Sequence, residues 1–141
     1  MSTIKSFEEL VCWQKARVLN IEIYKVSNSG NFVRDFGLRD QIRRASISIL
    51  SNIAEGFERN GNKEFLQFLS IAKASSAEVR AQLYVALDLN YIDKSQFDTI
   101  FHLVTETSKL IGGLMSYLQN SEMKGSKFKE DAPDYITASH N

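Results

Sequence analysis

Proline and cysteine are nearly absent from this sequence. Pro133 is the single proline, so residues 1–132 contain no proline ring that would interrupt a helix. Cys12 is the single cysteine, which rules out an intramolecular disulfide and favours a reducing compartment. The N-terminus lacks the apolar segment of a signal peptide, and no stretch approaches the roughly 18 uninterrupted apolar residues of a membrane span. We therefore expect a soluble, cytoplasmic protein that does not insert into a membrane.

Residues that carry catalysis or hold cofactors are equally scarce. His102 and His140 are the only histidines, and neither belongs to a pair with the spacing of a zinc or di-iron site. The sequence lacks the glycine-rich loops that bind nucleotides and the Gly-x-Ser-x-Gly turn of hydrolases. Cys12 could act as a nucleophile only beside a distant histidine, so a small buried core cysteine is favoured. We predict no catalytic residue, metal, cofactor or small-molecule substrate, and hence a protein that is not an enzyme.

The chain carries no excess charge of either sign. Seventeen basic and seventeen acidic side chains give a formal net charge of +0. This balance argues against the strongly basic surface of a typical nucleic-acid-binding domain, although a local basic patch remains compatible with it. The length of 141 residues fits one domain with a core of its own.

Four apolar patterns with helical spacing are separated by short turn-forming segments. We predict an all-α fold, an antiparallel up-down-up-down four-helix bundle over residues 1–121, followed by a polar tail at 122–141 that is expected to be disordered. Gly112 and Gly113 lie in the fourth helix, where close packing against a neighbour or a loosened last turn is favoured over a hinge. Candidate caps and breaks at the helix ends are Ser6 with Glu9, Asp35, Asn60-Gly61-Asn62, and either Asp93 with Gln96 or Ser95 with Asp98.

The second helix carries two apolar stripes, whereas a surface helix needs only one. The first stripe is Leu38, Ile42, Ala45, Ile49, Ile53 and Gly56. The second stripe, roughly 140° away at helical periodicity, is Ile47, Leu50, Ala54 and Phe57. The first helix also has a second stripe, formed by Cys12, Ala16, Leu19 and Ile23. Large apolar residues left in water normally mark an interaction surface. We predict that both second stripes form a subunit interface; the alternative is that a segment such as 31–33 folds back over them.

Arg39, Arg43 and Arg44 form the densest basic cluster. Arginines along a helix can contact nucleic-acid phosphates, which makes these three the candidate contacts for RNA or DNA. Acidic residues four positions earlier favour intrahelical ion pairs instead, Asp35 with Arg39 and Asp40 with Arg44. Arg43 alone lacks such a partner. An interface or ion-pair role is favoured over phosphate binding.

The segment LRDQIRRASISI at 38–49, followed by SNIAEG at 51–56, resembles the central motif of a bacterial four-helix-bundle family. Its members are encoded in intervening sequences of 23S rRNA genes and elsewhere, and they include the accessory variability determinant of diversity-generating retroelements. The segments LVCWQKA at 10–16, FLQFLSIA at 65–72 and LDLNYI at 87–92 extend the resemblance to roughly residues 7–118. The resemblance implies a homopentameric, barrel-like ring without known enzymatic activity. For the retroelement members it also implies binding to nucleic acid and to a reverse transcriptase.

Two functional hypotheses follow from the sequence. The first is a non-enzymatic homo-oligomeric scaffold or adaptor. The second is a nucleic-acid-binding accessory protein that uses Arg39, Arg43 and Arg44, with Lys63 or Lys73 as further candidates. The retroelement members are strongly basic and this chain is neutral, which favours the scaffold.

Overall fold

Four long helices account for most of the chain. The computed structural model describes residues 4–120 and 132–138. The helices are α1 (Val11–Ser27), α2 (Phe36–Glu58), α3 (Asn62–Asp88) and α4 (Lys94–Asn120), with short 3-10 turns at Phe7–Glu9 and Phe32–Arg34. None of the helices in these ranges combines the length and the apolar character that a membrane span requires.

Local side chains begin two of these helices as the sequence predicts. The Leu38 amide donates to Asp35 Oδ1 over 3.0 Å, which caps α2. Asp93 and Gln96 form a reciprocal capping box, because each backbone amide donates to the side chain of the other. Of the two candidate caps of α4, the structure therefore contains the Asp93–Gln96 pair. Gly61 has a positive φ of 95°, the backbone conformation that glycine tolerates best, in the turn between α2 and α3.

Consecutive helices run antiparallel around a common core. Residue 20 contacts residue 46 and residue 27 contacts residue 43, so α1 and α2 pair in opposite directions. Residues 84 and 97 meet at one end of the α3–α4 pair, and residues 62 and 118 meet at the other. Lys15 reaches Glu106 and brings α4 beside α1. The predicted all-α four-helix bundle is confirmed.

Each helix contributes one apolar face to a single continuous core. The predicted first stripe of α2 lies in it, with Ile42, Ile49 and Ile53 fully buried. Cys12 also lies there, 2% exposed, as the core interpretation of this cysteine predicts. Burial raises the pKa of the Cys12 thiol from 9.0 to about 12, because desolvation disfavours the thiolate.

The N-terminus departs from the prediction. The Ser6 side chain makes no capping hydrogen bond, and α1 begins at Val11 instead of near Ser6. The reason is that Leu10 is extended and forms an isolated antiparallel bridge with Thr137. The Val11 amide donates to the Ile136 carbonyl over 3.0 Å, so the C-terminal chain supplies the acceptor that a capping side chain would have provided.

The predicted disorder of the tail 122–141 is wrong for its described part, residues 132–138. Ile136 is 1% exposed and belongs to the core. The Ala138 amide donates to the Glu9 carbonyl over 3.1 Å. Apolar burial and backbone pairing with a segment distant in sequence therefore order these residues. The rest of the predicted tail, and the domain boundary at 121, lie outside the described residues.

Gly113 allows the C-terminal segment to lie directly on α4. A Cβ atom at this position would be 3.1 Å from two ring carbons of Tyr135, closer than ordinary contacts. The interpretation of this glycine as a site of close contact is confirmed. We refer to residues 132–138 as the C-terminal strap.

Cys12 should react slowly with thiol reagents in the native protein. The rise of its pKa to about 12 lowers the thiolate fraction at pH 8 roughly 1000-fold, and burial blocks access as well. Labelling with an aromatic disulfide reagent at pH 8 measures this directly, because there is only one cysteine. The guanidinium-unfolded chain is the control and should react at once. Equally fast labelling of both forms would contradict the buried position.

Ile136→Asp should release the C-terminal strap. The substitution places a charge without a partner at a position that is 1% exposed. Hydrogen–deuterium exchange should then accelerate at the amides of Val11 and Ala138, whereas amides of the α2–α3 contact keep their protection. Asp134→Ala, at an exposed position of the same strap, is the control. Unchanged exchange at Val11 in the Ile136→Asp variant would show that Ile136 does not hold the strap.

Candidate interaction surfaces

The seam between α1 and α2 carries the most distinctive surface of the bundle. Arg43 Nε donates to Ser27 Oγ over 2.8 Å, and its guanidinium lies 4.5 Å from the Tyr24 ring centroid. A second hydrogen bond joins the same two helices: Ser46 Oγ donates to Asn20 Oδ1 over 2.9 Å. Outside these contacts lies an open groove, the basic groove, lined by Asn20, Ile21, Tyr24, Lys25, Asn28 and Arg43.

The predicted second stripe of α2 lies on the surface beside this groove. Ile47 is 39% exposed and follows Arg43 by one helical turn. Leu50, Ala54 and Phe57 are half-buried, and Leu50 and Phe57 also pack against the core. The loop that could have covered the stripe does not do so at Ile47, because Phe32 is buried and stacks on Tyr91 with ring centroids 5.4 Å apart. The position of the stripe agrees with a subunit interface, and its contact with another copy stays a prediction.

The assignment of the α1 stripe to a subunit interface is wrong. All four of its residues are buried in the core of the single chain: Cys12, Ala16, Leu19 and Ile23. The exposed apolar residues of α1 are Val18 at 46% and Ile21 at 49%, on its other side. Periodicity separates the two sides of the helix but does not say which one faces inward. The signal that was available is the polar interruption of the outer side, at Gln14 and Arg17, which the inner side lacks.

The three candidate phosphate-binding arginines have different environments. Arg39 Nε pairs with Asp40 Oδ1 at 3.0 Å, and its guanidinium also donates to the Val33 carbonyl. The expected pair of Arg39 with Asp35 does not form, because Asp35 caps α2 and accepts from the Tyr91 hydroxyl over 2.9 Å. These two hydrogen bonds, the Leu38 amide first, lower the pKa of the Asp35 carboxyl.

Arg43 lies between two helices, whereas Arg44 lies on the surface. Arg43 is held between Ser27 and Tyr24, so its guanidinium joins α1 to α2. Arg44 is exposed and has no ion pair or hydrogen bond within residues 4–120 and 132–138, so the predicted Asp40–Arg44 pair is absent. It lines a second groove, between α2 and α3, with Gln41 and Glu78. The structure therefore leaves one of the three arginines unpaired in the described part of the chain.

A third groove lies between α1 and α4. Its carboxylates are Glu22 and Asp98, and its apolar part includes the exposed Val18. We call it the acidic groove; its lining residues are Val18, Glu22, Asp98, Thr99, His102 and Leu103. No group of three His, Cys, Asp or Glu side chains that could hold a metal ion occurs among the described residues, and His140 lies outside them.

Known proteins resemble this chain over most of the bundle. A family model described as 23S rRNA-intervening sequence protein matches residues 8–113. The crystal structure of a protein of unknown function from the S23 ribosomal protein family of Bacteroides thetaiotaomicron VPI-5482 is similar, with a TM-score of 0.68 and 26% identity. The similarity covers 74% of this chain and 97% of that chain. No curated protein matches the chain. Because the family model spans most of the bundle, the chain belongs to the family of 23S rRNA-intervening sequence proteins.

Proposed function

We propose that this protein is a non-enzymatic, self-associating helical scaffold, and that the second stripe of α2 contacts another copy of the chain. The observation that carries the proposal is the apolar surface at the α1–α2 seam. Ile21 and Ile47 are 49% and 39% exposed, and Leu50 and Phe57 lie half-buried beside them. Burying an exposed aliphatic side chain of this size contributes up to roughly 1.5–3 kcal/mol. A contact over this surface would remove several such residues from water together.

Association through this surface also agrees with the charged groups around it. The Arg43 guanidinium donates one hydrogen bond to Ser27 Oγ and lies over the Tyr24 ring, which fixes its position and leaves further N–H donors for a carboxylate of another copy. The family resemblance implies a homopentamer, and we propose that stoichiometry on the resemblance alone.

Ile47→Glu should dissociate the assembly. A glutamate at this position must lose its hydration if the stripe is covered by another copy. Light scattering coupled to size-exclusion chromatography should give a mass several times 16.0 kDa for the unmodified chain and a lower mass for the variant. Ile71→Glu is the matched control, because Ile71 is 48% exposed on α3 and the chemical change is identical.

Two outcomes would count against this proposal. A monomeric unmodified chain would refute self-association. An unmodified oligomer that Ile47→Glu leaves intact would refute the placement of the interface on the stripe. Circular dichroism of both variants separates dissociation from unfolding, since a folded monomer keeps its helical signal.

The second candidate function is nucleic-acid binding, alone or together with a reverse transcriptase. One observation favours it: Arg44 is exposed and has no partner within the described ranges. Arg39 and Arg43 weaken it, because Arg39 already pairs with Asp40 and Arg43 is held against Ser27 inside the chain. One unpaired arginine among the three candidates is a small footprint compared with the several phosphate contacts of a specific complex.

Nucleic-acid binding is tested by fluorescence anisotropy with labelled RNA and DNA at low and moderate salt. The scaffold proposal expects no binding even at low salt. Phosphate binding would instead give an affinity that falls steeply as salt rises. Arg44→Ala would then reduce the affinity, whereas Lys94→Ala, at a distant lysine already paired with Asp98, would not. Salt-sensitive binding that Arg44→Ala weakens and Lys94→Ala does not would favour the nucleic-acid-binding function over the scaffold.

A further inference from the structure

The two grooves on either side of α1 have opposite charge. Within the described part of the chain, the charged residues that line the basic groove are Lys25 and Arg43, and none of the lining residues is a carboxylate. Among the same described residues, Glu22 and Asp98 are the charged residues that line the acidic groove, without a lysine or arginine. His102, 76% exposed at its side chain, sits in the acidic groove as well. Each groove therefore presents one sign of charge although the whole chain is neutral.

Each groove also presents an exposed aliphatic side chain next to its charges. Ile21 is 49% exposed in the basic groove, and Val18 is 46% exposed in the acidic groove. Leu103, partly buried, extends the apolar part of the acidic groove into the core. The two surfaces thus have the same construction, an apolar centre with charged neighbours, but opposite signs.

The existing ion pairs at the grooves do not prevent an exchange of partners. Lys25 Nζ is 3.6 Å from Glu22 Oε2, and their side chains are 68% and 33% exposed. Lys94 Nζ is 3.0 Å from Asp98 Oδ2, with side chains 75% and 57% exposed. Exposed pairs of this kind contribute little to stability. Their carboxylates can therefore accept a cation from another molecule at small cost.

We propose that the basic groove of one copy docks onto the acidic groove of another copy. The inference rests on the proposed self-association and names the surface that receives the α1–α2 seam. The stripe of α2 adjoins the basic groove, because Ile47 follows Arg43 by one turn. Stripe and groove therefore form one continuous surface, which we call the donor surface because it docks onto the acidic groove of another copy. Opposite charges would place Lys25 and Arg43 near Glu22 and Asp98 of the next copy.

A contact between two different surfaces has a consequence for symmetry. It is heterologous, so every copy that uses its basic groove still offers its acidic groove to a further copy. Such contacts generate rings or filaments, whereas a surface that pairs with itself generates a two-fold dimer. The two grooves share α1, so one helix would take part in both contacts of each copy.

A mixing experiment with two glutamate variants tests the inference. Ile21→Glu disables the basic groove and Val18→Glu disables the acidic groove. The two positions are three residues apart on α1 and equally exposed, so the substitutions are matched. Each variant alone should be a monomer by light scattering. An equimolar mixture should give a species of twice the monomer mass and no larger one, because only one intact groove of each kind remains per pair.

The other outcomes are informative as well. If Val18→Glu assembles like the unmodified chain while Ile21→Glu does not, the donor surface pairs with something other than the acidic groove, and the inference fails although self-association stands. If the unmodified chain is a monomer, the proposed function itself fails. A mixture that stays monomeric also overturns the inference. Should either glutamate variant lose its helical circular dichroism, Lys25→Ala and Asp98→Ala replace the pair, because each removes a charge without creating a complementary one. The same mixture result is required of them.

Discussion

The close approach of α2 and α3 is the constraint on which the rest of the bundle depends. A Cβ atom on Gly56 would lie 2.8 Å from Phe68 Cβ and 2.9 Å from the Phe65 ring, so only a hydrogen fits there. Further along the same contact the hydroxyls of Ser48 and Ser75 are 2.8 Å apart, and these small side chains keep the helices near each other. Because this side of α2 is committed to α3 and the adjacent side to the core, its remaining apolar residues are directed toward α1 and the surface. The second stripe of α2 is therefore exposed because contacts with α3 and with the core determine the rotation of the helix.

Local chemistry made most of the fold predictable from the sequence. The Asp35 cap and the Asp93–Gln96 capping box depend on residues three positions apart, and the absence of proline left the helices uninterrupted. Tertiary choices were not predictable in the same way. Both sides of α1 are apolar, and only contact with the other helices decides that the side containing Leu19 faces inward while Ile21 stays outside.

The interactions that sequence reasoning missed connect residues far apart in the chain. Pairing charges at helical spacing suggested ion pairs for Arg39 with Asp35 and for Arg44 with Asp40. The structure instead joins Asp35 to Tyr91 and Arg43 to Ser27, across turns and between helices. The hydrogen bond that Tyr91 donates to Asp35 also raises the pKa of the Tyr91 hydroxyl, because it stabilises the protonated phenol. Neither partner carries a spacing pattern that identifies it in advance.

The C-terminal strap lies beside the segment that precedes α1. Leu10 bridges Thr137, and the Ala138 amide donates to the Glu9 carbonyl, so a short linker could join these two segments without moving a helix. The turn at Gly61 is exposed and lies between two complete helices. A circularly permuted chain, joined at the strap and opened at Gly61, would keep the order of the helices around the core while starting at α3. In such a chain the polypeptide ends would leave the bundle from the α2–α3 turn.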